Sequence, residues 1–513
     1  MATMGRCGEV LYNGITLPDA WPPHLDALTA EPLPVPPYLA SPPEVIPIDM
    51  GRQLLVDDFL VERTTLSRTY HNATYHPASP VLMPDRPWEN EGGHPCAMPF
   101  SDGVWYDPAE GLFRMWYMGG YCAATCYATS RDGIHWVKPE LDVVPGTNIV
   151  LQGTRDSNTV WPDPDEADPT ERFKMVQFAN DGDWRLGMRC SSDGIHWSTA
   201  QPCPSFGDRG TFFFNPFRNV WVQSLRADCP GVGRCRRYFE SRDAFGWCGY
   251  AGAPPTYWVG ADSLDPVRPE LGTPPQLYNL DCVAYESVLL GLFSIWYGQP
   301  QDRPKPNEIC VGFSRDGFHW WRPSREAFIG VSERRGDWNW GNVQSAGGCL
   351  LVVGDELWFY VSGRAGVEGS AGSGVCSTGL AVLRRDGFCS MDAPAYVTGE
   401  LLTRPVTFGG RHLFVNLAAP DGSLRVEVTD VDGSALPGFS AEECVPVRGD
   451  STRAEVRWTT SGNLSALAGG PVRFRFLLRG GSLYSFWVSA DERGTSRGYL
   501  GAGGPGYASR VDE

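Results

Sequence analysis

The sequence has no run of the ~18 apolar residues that a membrane-spanning helix needs, so no span is expected. Its first residues, MATMGRCGEVLYNG, lack the charged start and apolar stretch of a signal peptide, which makes a cytoplasmic location the expectation. Basic residues are the minority, 43 Lys+Arg against 60 Asp+Glu, giving a net charge of -17. A nucleic-acid partner is therefore not expected, because phosphate backbones are met by clustered Lys and Arg. The 15 Cys form no CxxC pair and no His/Cys cluster with zinc spacing. They read as small core residues of a reducing compartment, although Cys122 with Cys126, or Cys229 with Cys235, could pair.

Aromatic residues, by contrast, are plentiful: 19 Trp, 19 Tyr and 24 Phe, as expected for a β-rich core. A heptapeptide also recurs. S-R-D-G-I-H-W starts at Ser130, S-S-D-G-I-H-W at Ser191 and S-R-D-G-F-H-W at Ser314. Weaker copies place Asp243 and Asp386 in the same series as Asp132, Asp193 and Asp316. Asp-Gly supplies turn chemistry, since Asp can bond its own backbone and Gly tolerates positive φ. The motif thus reads as a structural staple, and His135, His196 and His319 belong to it rather than to a catalytic or metal site.

Upstream of each copy lies an alternating aromatic run, such as LFRMWYMGG (112–120) or LGLFSIWYG (290–298), with the period of a half-buried strand. Before each run comes a third short strand, starting at His94, Asn158, Asp208, Asp281 and Asn342. Asn158, Asp208 and Asp281 each stand 35 residues before the turn aspartate of their unit. Radially repeated four-stranded units are propeller blades. The expected fold is all-β: a five-bladed β-propeller over 45–395, closed by the strand QLLVDDFLVE (53–62), then an antiparallel β-sandwich over 396–490. A Pro-rich lead-in (1–44) and a Gly-rich tail (491–513) flank them.

In a propeller the innermost strands line one funnel, and every aligned start here is polar. Two facing carboxylates are what glycosidic cleavage requires, one to protonate the leaving oxygen and one to attack or to activate water. Asp208 and Asp281 are the leading catalytic candidates, with Glu91 in PWENEGGHP next. Glu286 ranks lower, because strand alternation puts it on the face opposite Asp281 unless a bulge intervenes. His94, Asn158, Arg209, Asn342 and Gln344 are candidate substrate-binding residues, and Trp88, Trp338 and Trp340 a candidate stacking platform for a sugar ring.

This layout resembles that of glycoside hydrolase family 32, and its propeller is also similar to those of family 43 and of the family 130 phosphorylases. The resemblance covers about 45–490 and rests on architecture and on Asp at blade starts. It implies cleavage of fructosyl, arabinosyl or xylosyl linkages by three inner-strand carboxylates. Asp208-Arg209 is similar to the Arg-Asp motif of these enzymes in reversed order, and Asp281-Cys282 to their Glu-Cys acid motif with Asp for Glu. The Trp-Met-Asn-Asp-Pro nucleophile motif is absent. His94-Pro95 stands in its place, leaving Glu91, or Asp57 and Asp58 of the N-terminal strand, to supply that carboxylate. The implied activity is a glycosidase acting on furanoside-type or related bonds of an oligo- or polysaccharide. A central structural Ca2+, found in some family 43 propellers, has no visible ligand set, and no other cofactor is expected. The alternatives are a non-catalytic glycan-binding propeller and a phosphorylase, which needs a cationic pocket that Arg209 alone would supply. The repeated turn is similar to the Asp box of sialidases, whose fold has six blades and an Arg triad.

Overall fold

The computed structural model describes residues 8–180, 182–204 and 207–513. It is almost entirely β; one α-helical turn, Pro37–Ala40, is present among the described residues. No helix in this part of the chain is long and apolar enough to cross a membrane.

Five antiparallel meanders follow one another. The first is Ala97–Asp107, Leu112–Gly119, Ala124–Ser130 and Ile149–Leu151, and the second Thr154–Pro162, Phe173–Asn180, Trp184–Ser191 and Gln201–Cys203. The third is Thr211–Asn215, Val220–Cys229, Gly233–Ser241 and Thr256–Gly260. In the fourth, Gln276–Glu286, Val288–Trp296 and Asn307–Ser314 are edged by the single bridges Ile309–Ile329 and Phe313–Trp321. In the fifth, Asn342–Ser345 and Leu351–Val353 both pair with Glu356–Arg364, which continues to Cys376–Arg384. A parallel bridge between Asn307 and Asn342 joins the fourth meander to the fifth. The first strand of the second meander lies against those of the first and third, that of the third against that of the fourth, and that of the fifth touches that of the first.

The repeated heptapeptide staples these units together. In the first copy the Ser130 hydroxyl accepts from Gly133 N at 2.8 Å, and Asp132 Oδ1 accepts from Ile134 N and His135 N at 2.9 and 2.8 Å. Gly133 and Gly194 have φ of 74° and 79°, where a Cβ is strained. The carbonyls so exposed are gripped by neighbours. Gly194 O accepts from Trp116 Nε1 of the first meander, and Gly133 O from the Tyr360 hydroxyl of the fifth. Phe318 O likewise accepts from Trp258 Nε1 of the third. The three histidines bond the turn aspartates, as the repeat implied.

The N-terminal segment departs from expectation. Gln53–Leu54 pairs with Arg473–Ser489, and Val61–Thr64 with Cys389–Thr403; the outer strand of the fifth meander is instead Thr74–Tyr75. The cause is apolar surface on both sides of 53–62. Leu54 and Val56 enter the core of the meanders, whereas Leu55, Phe59, Leu60 and Val61 enter a second core. Asp57 is consumed there by Arg315, at 2.8 Å, and Asp58 by Arg68, so neither serves the funnel.

The C-terminal strands form one seven-stranded sheet. Val447–Val456, His412–Thr429, Arg473–Ser489, Cys389–Thr403 and Val61–Thr64 lie side by side, with Gln53–Leu54 and Ser67–Tyr70 added. Leu11, Ile15 and Leu17 of the lead-in help to fill the second core beneath it. The Gly-rich tail is docked: Tyr499–Leu500 pairs with Gln276–Glu286, and Leu500 and Ala502 are fully buried.

Candidate active site

The meanders meet at a bulge. The ladder of Ala97–Asp107 shifts register between Met98 and Gly103, and Phe100 and Ser101 take φ of 35° and 70°. Left-handed backbone at such residues costs roughly 1–3 kcal/mol each and persists only where the surroundings enforce it. Here they do. Phe100 N donates to Ser362 Oγ of the fifth meander at 2.8 Å. The Ser101 hydroxyl donates to Asp281 Oδ2 of the fourth at 3.1 Å. Asp102 takes both terminal nitrogens of Arg155, from the second, at 2.7 and 2.8 Å. The Arg209 guanidinium, from the third, lies 3.8 Å over the Phe100 ring. Three consecutive residues thus touch every other meander and form the floor of a common site.

Asp281 is held at this floor. Its Oδ2 accepts from Ser345 Oγ at 2.6 Å and Asn279 Nδ2 at 3.0 Å as well as from Ser101, while its Oδ1 has no partner. Burial pushes its carboxyl above the ordinary carboxylate range, against the pull of Ser345, Arg209, Ser101 and Arg236. Asp102 is pushed up to about 6 by burial, which outweighs the charge of Arg155. Nearby amides also point unpaired oxygens inward: Asn158 Oδ1, whose Nδ2 donates to Thr125 Oγ1 at 2.7 Å, and Gln344 Oε1, whose Nε2 donates to Asn342 at 3.2 Å. Asn342 Nδ2 donates in turn to Lys305 O at 2.6 Å. Buried polar atoms without partners are uncommon in folded proteins, so several around one axis mark a place built for something else.

Above the floor the site carries charge. Asp208, half-buried, pairs with Arg226 at 2.7 Å. Asp156, also half-buried, has an unpaired Oδ1. Burial raises the Asp156 carboxyl; Arg209, Lys305 and Arg155 oppose this and the charge of Asp208 adds to it. Arg209 itself is buried at φ 61°, and its Nε and Nη1 are unpaired. Arg236 donates to Arg209 O and to Ser224, and burial together with Arg209 lowers it to about 9. Tyr278 lies at the centre of the cations. Its hydroxyl accepts from Lys305 Nζ at 2.9 Å, and the Arg234 guanidinium sits 4.8 Å from its ring. Burial pushes the Tyr278 phenol up, yet Lys305, Arg209 and Arg364 together bring it below its ordinary value, against Asp156.

The sequence-derived candidates divide accordingly. Asp208, Arg209, Asp281, Asn158, Asn342 and Gln344 converge on this axis. His94 and Glu91 adjoin Tyr121: His94 meets its ring edge-on at 5.6 Å, the backbone carbonyl of the exposed Glu91 accepts from Tyr121 N at 3.0 Å, and the Tyr121 hydroxyl accepts from Arg364. Glu286 must be withdrawn. It ends its strand with φ 48° and is bound by Arg52 N at 3.0 Å, Arg385 at 3.1 Å and Ser496 Oγ at 2.7 Å, in a buried ion cluster with Asp386. The tryptophans are not assembled into a platform. Trp88 donates to Asn148, Trp340 lies under Arg303, and Trp338 fills the space left by Gly363 and Gly379, where a Cβ at 379 would come within 2.0 Å of its ring. No ring contact joins any two of them among the described residues. Asp156 precedes Asn158, the strand start read from the sequence, and the register shift between Arg155 and Asn158 removes the alternation that would have pointed to it. Tyr278, Arg234, Lys305 and Arg364 share no offset in the repeat and gave no sequence signal.

A recess of about 830 Å³ lies between the first and second meanders and the tail, beside Trp105, Phe173 and Arg510. Its Arg114 is ion-paired with Asp107 and Glu110 at 2.7 and 3.1 Å, and its Arg510 donates to Pro162 O. No cluster of three or more His, Cys, Asp or Glu that could hold a metal ion occurs among the described residues.

No protein-family model matches the chain, and no curated protein matches it. Among solved structures it is similar to a thermostable family-43 glycoside hydrolase, at 14% identity and a TM-score of 0.40, over 59% of this chain and 95% of that one. It is also similar to an N-acetylgalactosamine deacetylase from F. plautii, solved with blood group B trisaccharide, at 12% identity and a TM-score of 0.39, over 63% and 96%. A third is a family 43 arabinoxylan arabinofuranohydrolase from Bacillus subtilis, solved with cellotetraose, at 12% identity and a TM-score of 0.35, over 82% and 99%.

Proposed function

We propose that the five meanders are the blades of a β-propeller, that the C-terminal sheet makes a β-sandwich, and that the chain is a glycoside hydrolase. It acts on an oligo- or polysaccharide in the funnel above Phe100 and Asp281. The observation that carries this reading is three carboxylates from successive meanders in one region: Asp156 with an unpaired Oδ1, Asp208 held by Arg226 at 2.7 Å, and a buried, half-satisfied Asp281. Like charges in one site push acid strengths apart, which is how two carboxyls come to serve as acid and base. Asp156, raised by burial, holds the proton for the leaving oxygen. Asp208, charged against Arg226, is the nucleophile or the base that activates water. Asp281 steadies the positive charge that develops on the sugar ring, through the oxygen that no protein group occupies.

The test is release of reducing sugar from fructans, arabinans, xylosides, galactosides and uronic-acid glycosides. Wild type is run beside Asp156→Asn, Asp208→Asn and Asp281→Asn, with folding checked by circular dichroism. Turnover of one substrate class by wild type, and a loss of roughly 100-fold or more in folded Asp156→Asn and Asp208→Asn, supports the reading. Binding of a glycan without turnover, unchanged in the variants, would leave a non-catalytic glycan-binding protein in its place.

A further inference from the structure

Four cations surround Tyr278 and Phe100. Lys305 bonds the Tyr278 hydroxyl, Arg234 sits 4.8 Å and Arg209 5.4 Å from the Tyr278 ring, and Arg364 lies 5.6 Å from the Phe100 ring that Arg209 covers. Among the described residues none of the four is in an ion pair, although most arginines of the chain are. Arg209 and Arg364 are almost wholly buried, at 0% and 2% exposure. Arg209 keeps Nε and Nη1 unpaired, Arg364 keeps Nε and Nη2, and Arg234 keeps Nη1. The remaining Arg364 nitrogen donates only to neutral oxygens, Tyr121 at 3.1 Å and Ser373 at 3.0 Å. Two nearby carboxylates are without an ion pair, Asp156 and Asp281, since Asp208 is engaged by Arg226; they are fewer than the cations. Burying uncompensated charge is costly, and this protein is acidic overall, with a net charge of -17. A local excess of buried cations with free N–H groups is what recognition of an oxyanion by guanidinium forks requires.

We propose that Arg209, Arg234, Arg364 and Lys305 form an oxyanion subsite, filled by the carboxylate of an acidic sugar in the substrate or by free phosphate. The proposal rests on the funnel being the substrate site. It names the substrate class as one bearing negative charge, which the neutral furanosides implied by the family resemblance do not. Tyr278 carries the subsite's inner wall, and Lys305 serves both the phenol and the ligand. A carboxylate on the sugar ring would lie against these cations, while the glycosidic oxygen reaches Asp156 and Asp208 on the side of Arg226.

Calorimetric titration of the full chain with galacturonate, glucuronate, galactose, glucose and inorganic phosphate tests this. Wild type is compared with Arg234→Met, Arg364→Met, Lys305→Met and the charge-keeping Lys305→Arg. Uronates binding while their neutral counterparts do not, with roughly tenfold or greater weakening in each Met variant and partial retention in Lys305→Arg, supports a sugar carboxylate. Phosphate binding with the same variant pattern, and none by uronates, supports the subsite and assigns it to free phosphate. Equal binding of charged and neutral sugars, or binding of uronates and phosphate that the Met variants leave unchanged, overturns it, as does absence of binding by every anion. The same titration on Asp156→Asn separates this from the catalytic reading. Anion binding retained in Asp156→Asn while its turnover is lost keeps the two roles on different residues, whereas anion binding by a wild type that turns over no glycoside refutes the hydrolase and leaves the subsite standing.

Discussion

The hydroxyl of Tyr278 accepts a 2.9 Å hydrogen bond from Lys305 Nζ, inside a shell that also holds Arg209, Arg234 and Arg364. Desolvation alone would make this phenol a weaker acid, yet the surrounding cations reverse the direction and bring it below 10.0. Tyr278 is therefore expected to be the first buried tyrosine to ionise as pH rises. Ultraviolet difference absorbance of the phenolate, followed through an alkaline titration of the folded protein, reads this directly. Tyr278→Phe should remove the earliest-titrating ring, and Lys305→Met should move it upward. A titration in which the earliest step survives in Tyr278→Phe would contradict the geometry.

The Asp102–Arg155 pair joins the first meander to the second with neither side chain exposed. Removing one partner leaves a charge buried without compensation, so Asp102→Asn or Arg155→Met should cost about 3–5 kcal/mol. The double variant should cost less than the sum, a coupling that urea denaturation of all four proteins measures. The carboxyl also has a pH signature. Its folded-state value of about 6 lies above the ordinary 3.8, so the folded state holds the proton more tightly. That contribution is complete below about pH 4 and is lost as pH rises through about 6. Asp102→Asn should flatten the stability curve across that window.

The turn aspartates act in the opposite sense. Burial opposes ionisation of Asp193, but the His196 side chain, the backbone N–H groups of His196 and Ile195, and Ser191 hold it down at about 2. The stability this gives is present above 3.8 and is lost as pH falls through about 2. Asp193→Asn should soften the acid limb of unfolding and leave the neutral region comparatively flat. Circular dichroism through an acid titration decides it. An unchanged acid limb would mean that the staple is carried by Gly194 and Trp116 alone.

Chemistry that repeats at a fixed offset is legible in the sequence. The Asp-Gly turns announced themselves because Ser, Asp, Gly and Trp each have a separate backbone or packing duty in them, and the spacing then led to Asn158, Asp208 and Asp281. Legibility is lost where the backbone leaves its period. The stretch from His94 read as a short strand, whereas in the folded chain Phe100, Ser101 and Asp102 form a bulge that organises the floor. Glu286 was misassigned for a related reason: alternation placed it correctly off the Asp281 face, but only the tail and Arg385 reveal what it does there. The cations were invisible because Arg364 ends one strand, Arg234 nearly begins another, and Lys305 sits in a loop. Residues from three different structural offsets converge only after the chain closes.

The cysteines supply a last expectation that spacing did not. Neither Cys122 with Cys126 nor Cys229 with Cys235 is bonded, and the described cysteines are all free thiols. Yet Cys203 and Cys248 bring their sulfurs to 3.0 Å, both half-buried. Cys203 ends the outer strand of the second meander, and Cys248 follows the turn of the third, where Trp247 already bonds Pro204 O. A disulfide needs sulfurs at about 2.0 Å, so a small rotation of either side chain suffices. Mild oxidation with oxidised glutathione, which takes up the two hydrogens as reduced glutathione, should form this bond before any other. It closes a loop 45 residues apart in sequence and should add roughly 3–4 kcal/mol if the folded geometry accommodates it without strain. Non-reducing peptide mapping should find the Cys203–Cys248 peptide, the melting temperature should rise, and Cys248→Ser should abolish both changes. A melting temperature that falls on oxidation would show that the second and third meanders must move relative to one another.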